Sequence, residues 1–271
     1  MNKKLLRRLP KNIILMFFSL ICLFPLVWVI IAATNKSVDI LRGTLLIGGN
    51  LAENWKTLTS NYNIWPALWN SLKYSAVTTI ASLVVSSIAG YAFEVYHDKW
   101  KDKTFGALML TMMVPFTATM IPLYRMYAKL HLLDTTMGFI LPSISAFFLI
   151  MLFRQNSRAF PKEIIEAARI DGESELGIFF KMYVPTMKAT YAAGMTITFM
   201  NAWNNYMWAK LIMSNDRTQT FPMLVANMTS GHYTDYGMLM LAVLISTLPT
   251  VIIFFALQKS FVEGMTGSVK G

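Results

Sequence analysis

The side chains best placed for polar chemistry in an apolar setting are Asn201, Asn204, Asn205 and Trp208, at i, i+3, i+4 and i+7, with Thr198 and Gly194 one and two turns earlier. On one helical face, the amides pair donors with acceptors as sugar hydroxyls require, and the indole can cover the apolar side of a pyranose ring. Hydrogen bonding between packed membrane helices uses the same residue types, so both readings stand at this point. The second constellation is residues 154–188, RQNSRAFPKEIIEAARIDGESELGIFFKMYVPTMK, a charged island between two strongly apolar stretches.

The island is patterned as two short helices around a glycine. Pro161 suits a first helical position, and Glu163 and Glu166 favour the positive end of the helix that follows. Ile164, Ala167 and Ala168 form a narrow apolar face, Lys162, Glu166 and Arg169 the wet side, and Gly172 ends the helix because it reaches left-handed φ without a Cβ penalty. Leu176, Phe179, Phe180 and Tyr183 repeat at helical spacing until Pro185 stops the second helix. Helices this short need a docking surface, which can be headgroups, the chain's own spans or another protein.

Chemistry of other kinds lacks its residues. No H-E-x-x-H, G-x-S-x-G or G-x-x-x-x-G-K-[ST] occurs, and Cys22 is the only thiol. His97, His131 and His232 fall in three different loops, without acidic neighbours at zinc-ligand spacing. The expectation is a chain that is not an enzyme, has no metal site and binds no cofactor of its own.

The elements that must position these groups are set by composition. Hydrophobic residues make up 55% and charged residues 14%, against about 45–50% and about 25% in soluble domains. Six stretches, near 13–33, 71–93, 104–124, 136–153, 189–209 and 237–257, have the length and apolarity of membrane-spanning helices. The expected fold is therefore all-α, one membrane domain over residues 1–271, with the island joining spans four and five. Six spans leave both termini on one side. Sixteen of the 24 Lys and Arg residues, among them Lys3, Lys4, Arg7, Arg8 and Lys270, lie on that side, which the positive-inside rule makes cytoplasmic. The net charge of +10 then reflects topology and anionic lipid rather than nucleic acid.

Within the second span, Ser75, Thr79, Ser82, Ser86 and Gly90 align small residues on one face, the pattern for close helix packing. Pro25, Pro115, Pro122, Pro142 and Pro249 interrupt four other spans, either as simple kinks or as breaks that serve transport. Trp55, Trp65 and Trp69 read as interfacial anchors.

Glu166-Ala167-Ala168, then Asp171-Gly172, Phe179 and Val184-Pro185, resemble the cytoplasmic EAA loop of binding-protein-dependent ABC transporter permeases, of the carbohydrate type similar to the maltose-system G-type subunit. Phe261-Val262-Glu263-Gly264 resembles the end of such permeases, whereas Lys188-Ala189 stands where many members carry another proline. The resemblance implies a coupling loop, Glu166 to Gly172 with Phe179 and Pro185, that fits a cleft on an ATPase subunit. It implies partners: a second, homologous permease, two ATPase subunits that carry ATP and magnesium, and an extracellular or periplasmic sugar-binding protein. It also implies a bacterial inner-membrane location and import of a carbohydrate, an oligosaccharide by type. Thr198, Asn201, Asn204, Asn205 and Trp208 are then the candidate pathway lining.

Two other classes compete. A stand-alone secondary carrier or channel is disfavoured because no Asp or Glu lies in the core of a span to relay protons. A membrane-embedded enzyme would need a nucleophile or metal constellation, and only dispersed hydroxyls are available.

Overall fold

The computed structural model describes residues 3–96, 98–230 and 234–266, with side chains over 11–96, 98–230 and 234–260. His97, His232 and Lys270 lie outside the described residues, as do the side chains of Lys3, Lys4, Arg7, Arg8 and the Phe261–Gly264 run. The described residues are helical and contain no strand.

Among the described residues, three helices are long and apolar enough to cross a membrane: Lys11–Ala33 within α1 (Lys3–Ala33), α4 (Ile64–Val95), and Tyr236–Ser260 within α15 (Tyr236–Thr266). Two bent pairs bring the number to as many as five. In the first, α5 (Lys99–Leu110) with a 3-10 turn meets α6 (Phe116–Lys129) at 97°. In the second, α7 (Thr136–Ile140) with its own 3-10 turn meets α8 (Phe147–Ser157) at 48°. The expected stretch at 189–209 is not one helix. It divides into α12 (Lys188–Trp203) and α13 (Tyr206–Ile212).

Proline explains only some of these breaks. Pro115 is the N-cap of α6, and Pro142 opens the 3-10 turn Leu141–Ser143, so both stand at bends. Pro122 and Pro249 sit inside α6 and α15, and Pro25 inside α1, without ending them. Apolar side chains of α1 from Ile13 to Phe24 are more than half exposed, as lipid-facing residues are when the bilayer is their solvent.

Two compact units divide the chain: Met1–Ile64 with Leu224–Leu248, and Trp65–Met223 with Pro249–Gly271. In the first, buried Asn54, from α3 (Leu51–Asn61), donates through Nδ2 to the carbonyls of Ala33 and Asn35 at 2.9 and 3.0 Å. Asp235 caps the start of α15 and accepts from Ser37 Oγ, in α2 (Ser37–Leu41), at 2.9 Å. A Cβ on Gly237 would come within 2.6 Å of the Asn35 carbonyl, so α15 begins hard against this knot. α14 (Phe221–Asn227) precedes it in sequence.

In the second unit, α4 buries its small-residue face, with Ser75, Thr79, Ser82 and Ser86 all at most 3% exposed. A Cβ on Gly90 would lie 2.6 Å from Phe153 Cβ and 2.8 Å from Arg154 N, which shows how closely α8 approaches. Ser82 Oγ donates to the Ser143 carbonyl at 2.8 Å, taking up an acceptor freed at the bend before α8.

Candidate functional site

The charged island folds as two helical pieces around Gly172, in the second unit. α9 (Lys162–Ile170) starts one residue later than expected, because Pro161 is its N-cap, with extended ψ of 125°, rather than its first residue. It ends in a Schellman arrangement: Glu173 N–H donates to Ala168 O at 2.9 Å and Gly172 N–H to Arg169 O at 3.1 Å, with Gly172 at φ +79°.

The apolar face of α9 is rotated from the expected one. Ile165 and Ala168 are buried, while Ile164 and Ala167 are exposed. Three-residue spacing fits either pair, and the choice follows from the aromatic cluster below, where Ile165 and Ala168 join Tyr91, Phe160, Ile178, Phe179 and Tyr183.

The second piece also departs from expectation. Ser174 Oγ caps α10 (Glu175–Gly177) by accepting from Gly177 N at 3.1 Å. The helix then widens into a π-turn over Ile178–Tyr183 and continues through α11 (Val184–Thr186). Pro185 sits inside this last piece, where the wide turn relieves the clash of its ring with the carbonyl four residues back, and the run ends one residue later at Thr186, close to the expected stop. The same widening shifts the phase of the face. Ile178, Phe179 and Tyr183 are buried, whereas Leu176 and Phe180 are 70% and 59% exposed.

Charges at the start of the island reach outward, with Arg154 and Arg158 on Glu94 of α4 at 3.4 and 3.6 Å and Arg154 also on Asp102 of α5, whereas those around Gly172 pair with one another. Arg169 forks onto Glu175, with Nε to Oε1 at 2.7 Å and the second nitrogen to Oε2 at 3.2 Å, and Lys181 holds Glu173 at 2.7 Å. The Arg169 fork, with the Tyr96 hydroxyl, keeps Glu175 below its ordinary pKa, and Lys181 does the same for Glu173. Glu166 and Asp171 are exposed. Glu166 and Arg169, with Glu94 and Arg158, line a cleft of about 430 Å³ between the end of α4 and α9.

The apolar-setting residues behave differently. A cavity of about 510 Å³ gathers Thr198, Asn201, Asn205 and Trp208, with Thr78, Phe116 and Phe148 among its other walls. Asn204 does not line it, because α12 ends there: Asn204 is the C-cap and returns its amide to Met200 O at 2.9 Å. Asn205 then caps α13, accepting from Trp208 N at 3.3 Å. The stripe is thus divided between the end of α12 and the start of α13 rather than carried on one helix. Gly194 is packing: a Cβ there would lie 2.9 Å from Leu83 and 3.0 Å from Leu149. Trp208 is fully buried, donates its indole N–H to Gly138 O at 3.2 Å, and stands edge-on to Phe116 and Tyr127. Asn201 is exposed, and its side chain makes no hydrogen bond among the described residues.

A third arrangement carried no signal in the sequence. Asp134, at φ +56°, accepts from Ser214 N, Ser214 Oγ, Asn215 N and Thr218 Oγ1. Asn70 closes the other side of the same loop, donating to the carbonyls of Arg217 and Gln219. Scattered single Asp and Asn residues of this kind have no periodicity to reveal them.

Residues 82–267 match the family described as binding-protein-dependent transport system inner membrane component. The lactose transport system permease protein LacG of Rhizobium radiobacter is 40% identical over 273 residues, covering 100% of both chains. The arabinooligosaccharides transport system permease protein AraQ of Bacillus subtilis is 32% identical, over 97% of this chain and 96% of its own. The sn-glycerol-3-phosphate transport system permease protein UgpE of Salmonella typhimurium is 32% identical, over 92% of each. A chain from the crystal structure of a bacterial ABC transporter that imports the acidic polysaccharide alginate shares the fold, with TM-score 0.79 over 96% of this chain and 98% of that one, at 19% identity.

Proposed function

The chain belongs to the family of binding-protein-dependent transport system inner membrane components, and from that premise we propose a membrane permease subunit of an ATP-driven carbohydrate importer, with an oligosaccharide as cargo. It forms half of the pathway. A second permease forms the other half, two ATPase subunits carry ATP and magnesium, and a sugar-binding protein delivers the cargo. The whole chain acts as one permease domain, with both termini in the cytoplasm.

The observation that carries the coupling assignment is the apolar surface of the island. Ile170, Leu176 and Phe180 are 86%, 70% and 59% exposed on a segment too charged to sit in lipid, and exposed Glu166 precedes Ile170 by four residues on α9. Such a surface fits a protein cleft. The closing and opening of the ATPase would move α9, and with it α8 and α12, which adjoin the island in sequence. Thr198, Asn201 and Asn205 would then meet the passing sugar through the cavity that they line, against the aromatic wall of Phe116 and Trp208.

Reconstitution of the full complex with its binding protein tests this reading. Lactose and arabinooligosaccharides are the first probes, and ATP-dependent uptake of either is expected. Uptake confined to sn-glycerol-3-phosphate would overturn the sugar assignment. ATP-independent flux through the chain alone would favour a secondary carrier.

A further inference from the structure

α4 is not next to the island in sequence, yet its C-terminal end is fastened to it. Tyr96, one residue past α4, donates its hydroxyl to Glu175 Oε2, and Glu175 is gripped in turn by Arg169 from the last turn of α9. The Tyr96 ring also lies 5.9 Å from the Arg169 guanidinium. Tyr91 packs at 4.7 Å from Tyr183 and 5.3 Å from Phe179, between ring centroids. Aromatic packing of that kind tolerates sliding, whereas a hydrogen bond to a carboxylate held by an arginine fork fixes distance and direction.

We propose that Tyr96 is a positioning residue: the chain Tyr96–Glu175–Arg169 locks the end of α4 to α9, so that movement of the coupling helix is delivered to a third membrane helix as well as to α8 and α12. This rests on the coupling-loop reading above. Arg169 and Glu175 are 43% and 50% exposed, so their pairing in the free chain is weak. A partner seated over the island removes water from the pair and strengthens it. The lock therefore tightens at the moment when the loop is held, which is when force must pass through it.

Hydrogen exchange on the complete transporter, with and without ATP, tests the lock. In the wild type, residues 162–177 and residues 86–96 should both change protection on ATP binding. In Tyr96→Phe, which removes only the hydroxyl, the response at 86–96 should fall by about fivefold or more while that at 162–177 persists and the ATPase stays bound. Glu175→Ala should behave in the same way, and the double variant should be no worse than either single one. Full responses at both segments in Tyr96→Phe and Glu175→Ala would overturn the lock and leave the coupling loop intact. Release of the ATPase by Tyr96→Phe would overturn it too, by making Tyr96 part of the docking shape. An unresponsive 162–177 in the wild type would overturn the coupling-loop reading and the lock together.

Discussion

Asp134 accepts both the backbone N–H of Ser214, at 2.8 Å, and its hydroxyl, at 2.6 Å, across 80 residues of chain. With Asn215 and Thr218 on the same carboxylate, one side chain organises the turn between α13 and α14. Burial pushes the Asp134 carboxyl up, but the bonds from Ser214, Thr218 and Asn215 outweigh it and leave the pKa below its ordinary 3.8. A folded pKa lowered in this way adds stability that is present above about pH 4 and is lost as pH falls through the lower folded value. Asp134→Ala should cost about 1–3 kcal/mol, measured as thermal unfolding, and should remove that acid limb. Protection of residues 213–220 from hydrogen exchange should fall first.

Gly90→Val should separate α4 from α8. The added carbons would meet Phe153 and the Arg154 backbone, neither of which is the free end of a flexible side chain. Overpacking of this sort costs about 1–3 kcal/mol. The expected result is a lower unfolding temperature and reduced yield in the membrane.

Gly172→Val separates backbone from contact effects. Nothing lies within 4 Å of a Cβ at this position, so the cost arises only from φ +79°, about 1–2 kcal/mol for an L-residue. Uptake should fall sharply, and Gly172→Asn should retain more of it. Glu166→Lys should release the ATPase in a pull-down, and normal uptake in both Gly172→Val and Glu166→Lys would end the coupling-loop reading.

Asn201→Ala and Asn205→Ala should differ in kind. Asn201 is exposed in the cavity wall and its side chain has no hydrogen bond among the described residues, so its loss should raise KM for sugar uptake and leave unfolding unchanged. Asn205 caps α13, and removing such a cap costs about 1 kcal/mol. That variant should unfold earlier as well as transport less.

Much of the fold was legible because membrane spans and glycine stops rest on local chemistry. The long apolar runs gave α1, α4 and α15, and Gly172 gave the reversal in the island. Proline was ambiguous, because a ring inside lipid can end a helix, as at Pro115, or be carried within it, as at Pro249. Periodicity identified the residue types on α9 but not the face, since Ile164 and Ile165 are equally apolar and only the tertiary aromatic cluster decides. The Asn201 to Trp208 spacing fits one helix because nothing local marks a break at Asn204, an ordinary residue serving as a cap. Tyr96 and Asp134 act through single long-range contacts, which no spacing rule reports.

The π-turn at Ile178–Tyr183 gives the island tolerance to a change in chain length. A wide turn accommodates one residue beyond the α-helical count. Deleting a single residue there lets the turn close to ordinary α-helix while α12 keeps its rotation, so Thr198 and Asn201 still point into the cavity. The same deletion within α9 would turn everything after it by about 100°. Length variation among homologous loops should therefore collect at residues 178–183 and be absent from 162–170.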